Sequence, residues 1–93
     1  MNQIENDFSN ISCHSEMATF IEKYRLMKQD EISQGNITHY TFADGSLAVN
    51  LSHRWYDRSQ VYAIRPDVNE LVLTVKNGSG DTIISAKTRY LQD

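Results

Sequence analysis

The stretch "NITHYTFADGSLAVNLS", residues 36–52, decides how this chain folds. On either side of Asp44-Gly45 apolar and polar residues alternate with period two, which sends successive side chains to opposite faces of a strand. An Asp-Gly pair between two such runs is a strong hairpin signal, because glycine takes the positive φ that a tight reversal needs. A two-residue turn at Asp44 and Gly45 pairs Ala43 with Ser46, then Phe42 with Leu47, Tyr40 with Val49 and Thr38 with Leu51 on one face. His39 with Asn50, and Thr41 with Ala48, fall on the other. One register thus separates a greasy side from a wet one, as a half-buried hairpin requires.

Reading on from this hairpin, "SHRWYDRSQ" (52–60) places the only tryptophan and two of the five arginines in one short segment. If the strand continues, Leu51, His53 and Trp55 share the core-side face while Arg54 and Tyr56 point away. A turn at Arg58-Ser59 would follow. Farther on, "ELVLTVK" and "DTIISAKTRY" flank "NGSG" and form a second hairpin. There Leu71, Leu73 and Val75 share one face, with Ile84, Ala86 and Tyr90 opposite. Its reverse face, with Val72, Thr74, Ile83 and Ser85, is more apolar than a solvated face should be, so either the N-terminal arm or a partner is expected to cover it.

Toward the N-terminus the period changes. Met17, Phe20, Ile21, Tyr24 and Met27 recur at the spacing of an amphipathic helix, predicted over 15–29 with Ser12 or Ser15 as cap. Glu16 would lie near the positive end of its dipole and Lys28 near the negative end. Residues 1–12 are polar apart from Ile4, Phe8 and Ile11 and read as an irregular arm. The fold expected is α+β: one N-terminal helix packed on a four- to six-stranded antiparallel meander, a single domain over 1–93.

Composition narrows the functional classes. With nine Lys/Arg against twelve Asp/Glu, a net charge of −3 argues against a duplex-DNA binder. The charge is uneven: residues 1–51 hold three cations and seven carboxylates, residues 52–93 six and five. The single cysteine, Cys13, allows no internal disulfide, and "MNQIENDFSNIS" lacks the basic start and apolar core of a signal peptide, so a cytoplasmic location is expected. No apolar run is long enough to span a bilayer.

Catalytic chemistry finds little purchase. Cys13 and His14 are neighbours, which is poor geometry for a nucleophile and its base. No C-x-x-C, H-x-x-x-H or EF-hand spacing supplies metal ligands, and His39 and His53 belong to opposite faces of the hairpin. "NGSG" joins two strands, with no helix dipole to hold a phosphate. No catalytic residue, metal or cofactor is therefore assigned. The expected activity is partner binding through Arg54, Tyr56 and Arg58, with Trp55 either joining them or serving the core, since Arg and aromatic residues concentrate at interface hot spots. A rival use is stacking and holding single-stranded nucleic acid through Arg54, Tyr56, Arg65, Lys87 and Arg89. A third is a homodimer through the final hairpin.

"THYTFADGSLAVN", Thr38 to Asn50, resembles the Y-T-F-x-D-x-S segment of small phage-encoded anti-CRISPR proteins that act on type I systems, through Tyr40, Thr41, Phe42, Asp44 and Ser46. The resemblance implies a non-enzymatic inhibitor, from a phage or mobile element, that binds a subunit of a host complex. It carries over no functional residue.

Overall fold

The computed structural model describes residues 3–55 and 68–91. Two helices, α1 (Gln3–Ser9) and α2 (His14–Lys23), precede five strands: β1 (Met27–Lys28), β2 (Ile37–Ala43), β3 (Leu47–Trp55), β4 (Val68–Asn77) and β5 (Thr82–Leu91). The strands form one antiparallel sheet in the order β1-β2-β3-β4-β5. The molecule is thus α+β, with its helices at the N-terminus and a meander behind them.

Both helices pack on the same face. Phe8, Ile11, Met17, Phe20 and Leu26 meet Val49, Leu51, Leu71, Leu73, Val75, Ile84 and Tyr90 in one core. Leu51, Leu71 and Leu73 are wholly excluded from solvent, each burial worth roughly 1.5–3 kcal/mol. Phe8 and Phe20 meet edge to face at 6.0 Å.

Residues 3–9 are helical where polar composition predicted an irregular arm. Ile4, Phe8 and Ile11 explain this: they recur at i, i+4 and i+7, and Phe8 is fully buried. A seven-residue helix is marginal alone, so tertiary docking holds it. Lys23 Nζ and the Tyr24 hydroxyl both donate to Asp7 Oδ2, at 2.7 and 2.5 Å, tying α1 to the end of α2.

The second helix is shorter than the 15–29 its spacing predicted. Arg25 adopts the left-handed region (φ 56°), and Leu26 N donates to Ile21 O at 2.9 Å, closing the helix in the manner of a C-terminal cap. Met27 and Lys28 consequently belong to β1, and Met27 is exposed rather than part of the helical stripe. The N-cap position is Cys13, not Ser12 or Ser15. Ser12 still contributes: its amide donates to Glu16 Oε1 at 2.9 Å and its hydroxyl at 2.5 Å. These bonds hold the Glu16 carboxyl below its usual range.

The first hairpin pairs each β2 residue with a partner two positions farther along β3 than the Asp-Gly rule predicts. Ala43 pairs with Ala48, Phe42 with Val49, Tyr40 with Leu51 and Thr38 with His53. The Asp44 side chain is the reason: its Oδ1 accepts from the amides of Ser46 and Leu47, both at 3.0 Å, and from the Ser46 hydroxyl at 2.8 Å, bracing a longer turn. Because the shift is even, every residue keeps its predicted face. Core-side Val49, Leu51 and His53 are buried and Arg54 is exposed. The second hairpin pairs Val75 with Ile84, Leu73 with Ala86 and Asn69 with Tyr90, with an irregularity between Val75 and Lys76. No helix among the described residues is long and apolar enough to cross a membrane.

Candidate functional site

Strand registers place the outward face of the sheet residue by residue. Ile37, Arg54, Glu70 and Arg89 form one row across β2–β5; His39, Ser52, Val72 and Lys87 form the next; Thr41, Asn50, Thr74 and Ser85 the third; Ala48 and Lys76 follow. Among the described residues no helix packs on this face. Arg54, Lys76, Ser85, Lys87 and Arg89 are exposed. Among the described residues, four cations therefore share this face with one carboxylate, Glu70, in a chain of net charge −3. Glu70 stands between Arg54 and Arg89 in the register of its row. A recess of about 410 Å3 near the hairpin ends reaches Thr41, Asn50, Thr74 and Lys76.

Of the residues expected to meet a partner, Arg54 is on this face. Trp55 is not: it is half-buried on the core side, its ring 5.4 Å from that of His53. Tyr56 and Arg58 lie outside the described residues, as does Arg65. Lys87 and Arg89, proposed with Arg54 on the assumption that their strands adjoin, do share its face across β3, β4 and β5. The apolar reverse face expected of the last hairpin is milder than anticipated. Val72 and Thr74 are half-buried among Ser52, Asn50, Lys87 and Ser85, Ile83 is exposed near the hairpin end, and α1 packs into the core on the opposite side of the sheet rather than covering this face.

The core face is apolar toward the hairpin ends and polar at the other. There β3, β4, β5 and α2 assemble a corner that local spacing did not reveal. His53 is 8% exposed, and its Nε2 donates to Asn69 Oδ1 at 2.8 Å; Asn69 is wholly buried. His14, at the start of α2, places Nδ1 2.7 Å from the Tyr90 hydroxyl, with its ring 6.2 Å from that of His53. A shallow recess of about 310 Å3 is lined by His14, Thr38, Tyr40, His53, Trp55 and Asn69. Burial holds the His53 imidazole below its ordinary value of 6.5, opposed by the Asn69 bond and reinforced by the neighbouring His14. Burial likewise pushes the Tyr90 phenol up to about 12.

This corner is built for cohesion. The His53–Asn69 bond satisfies two polar groups that β3 and β4 bury, and the His14–Tyr90 pair fastens α2 to β5. Cys13 lies beside it, but its Sγ is engaged with Ser15 Oγ at 3.2 Å and Glu16 Oε1 at 3.6 Å. Among the described residues no group of three or more His, Cys, Asp or Glu could hold a metal ion. His39 and His53 lie on opposite faces, as the alternation required, and His39 Nδ1 sits 3.4 Å from Asn50 Oδ1. The basic outward face is thus the better candidate for contact with another molecule. Comparison with family models, with curated proteins and with solved structures found no match.

Proposed function

We propose that this chain is a small non-enzymatic protein-binding module that engages its partner through the outward face of the sheet. The observation that carries the reading is the segregation of charge: Arg54, Lys76, Lys87 and Arg89 sit together on a face that no described helix covers, while the chain as a whole is acidic. Such a patch steers an acidic surface toward it and fixes its orientation. The hairpin's resemblance to anti-CRISPR proteins supports an inhibitory role, in which occupying a host subunit blocks its normal ligand.

Single-stranded nucleic acid would compete for the same cations. It usually also needs aromatic side chains on which bases stack. The described part of the outward face offers no Phe, Tyr or Trp: Tyr40, Phe42, Trp55 and Tyr90 all lie on the core side.

Affinity purification from the native host tests the proposal, with wild-type bait beside a folded Arg54→Glu/Lys87→Glu variant. The reading requires a protein captured by the first and depleted from the second. Identical captures from both baits, or recovery of nucleic acid alone, would overturn it.

A further inference from the structure

We infer that β5 is a docking strand, taking up an extended acidic segment of a partner protein as an added strand at the edge of the sheet that no other described strand pairs with. This rests on the protein-binding reading above, and it adds the edge that is used and the chemistry of what pairs there.

The two edges of the sheet are treated differently. Beyond β2 the chain returns to block pairing. Met27 and Lys28 pair with Thr41 and Tyr40; Gln29 N donates to His39 O at 2.8 Å; His39 N donates to Ser33 Oγ at 3.0 Å; and Gln34 bridges Ile37. These contacts consume backbone groups on that side, the protection that edge strands normally receive. At the other edge β5 runs ten residues, Thr82–Leu91, and pairs with β4 alone among the described strands. In an antiparallel ladder alternate residues turn their amide and carbonyl away from the neighbour, so about five of each face outward along β5. Pairing stays regular from Leu91 to Ile84, leaving a template of unbroken register over most of that length.

Side chains then select what can pair. Lys87 and Arg89 are exposed on the outward face, with Ser85 before them. A second copy of β5 pairing antiparallel about residues 85–89 would bring its own Lys87 and Arg89 opposite or diagonal to these, and like charges so placed repel. A strand carrying carboxylates at alternate positions meets the same two cations favourably. Its intervening side chains would fall beside Ala86 and Thr88, which are small and half-buried on the side that α1 also contacts. Small apolar or β-branched residues suit that position. The partner segment is thus acidic on one face and apolar on the other, with period two. Addition of a strand to an exposed sheet edge supplies affinity from the backbone and specificity from alternate side chains.

The test uses the isotope-labelled full chain and an eight-residue peptide alternating glutamate with valine or threonine. Three comparators accompany it: the lysine-for-glutamate version, the same acidic peptide N-methylated on alternate amides, and an oligothymidine strand. Amide shifts and slowed exchange should concentrate in residues 82–91, and N-methylation should abolish them. A Lys87→Glu/Arg89→Glu variant should lose about tenfold or more in affinity for the acidic peptide and gain affinity for the lysine version. Equal binding of the N-methylated peptide, perturbation confined to other strands, tighter binding of oligothymidine, dimerisation through β5, or no perturbation at millimolar peptide would each overturn the inference. If host capture still depends on Arg54 while β5 stays silent, only the edge is wrong. If capture fails altogether, the protein-binding reading falls instead.

Discussion

Replacing His53 with glutamine should flatten the stability profile of this protein between neutral and mildly acid pH. His53 is buried, its Nε2 is committed to Asn69, and His14 lies 6.2 Å away, ring to ring. All three features bear on the charged form, and burial, the largest, lowers the folded-state value below the ordinary 6.5. The sign follows by linkage: on acidification the unfolded chain takes up a proton at this histidine before the folded chain does. Stability should therefore be fully present above the ordinary value and decline as pH falls through it, until the folded imidazole also protonates. If the folded form took no proton at all, the loss between about pH 7.5 and about pH 5.5 would reach a ceiling of roughly 1.4 kcal/mol. Carboxylates whose values are lowered by hydrogen bonds, at Asp7, Glu16 and Asp44, lose their contribution only as pH falls below their ordinary values of 3.8, 4.5 and 3.8, so the two windows separate. Urea unfolding at several pH values, followed by tryptophan fluorescence, gives the slope directly. His53→Gln keeps a donor for Asn69 and removes the titration, so the fold should survive while the slope shrinks. Equal slopes in wild type and variant would refute the reasoning and move the pH sensitivity elsewhere.

Core truncation should be severe: Leu73→Ala, at a wholly buried site, is expected to lose about 2–5 kcal/mol in denaturant unfolding, and a loss below about 1 kcal/mol would contradict the described core. Gly45 takes φ 91°, and a Cβ there would meet nothing within 4 Å. Gly45→Ala should therefore destabilise through backbone strain alone, by about 1–2 kcal/mol, with Gly45→Asn recovering part of it; equal stability of all three would argue against the turn. Burial pushes Tyr24 and Tyr90 up to about 12, so the unfolded chain releases these protons first and stability should fall as pH rises above the ordinary value of 10.0. Phenolate absorbance should show two tyrosines titrating late, and Tyr24→Phe with Tyr90→Phe should delay alkaline unfolding. No delay would argue against their burial.

Legibility tracked the range of the interaction. The helix closure at Arg25 was invisible because apolar spacing continues through Met27; an unfavourable left-handed residue and the Leu26-to-Ile21 bond decide where the helix stops. The first helix had a signal in Ile4, Phe8 and Ile11, but a helix that short depends on a surface to lie on, and its sequence does not describe that surface. Arg54 was legible as a surface residue from alternation alone. Its company was less so: Lys87 and Arg89 lie more than thirty residues away, and only the β3–β4–β5 order brings them alongside.

Period-two alternation by itself determined which side chains face inward in both hairpins. That assignment survived a misjudged turn because the slip was two residues, and a strand repeats its faces every two. Tertiary structure alone decided that His14 would meet Tyr90 across 76 positions, that His53 would find Asn69 on the next strand, and that both described helices would choose one side and leave Arg54, Lys76, Lys87 and Arg89 on the other. Local periodicity records a residue's direction relative to its own backbone. Which other segment lies in that direction depends on how the whole chain excludes its apolar surface from water.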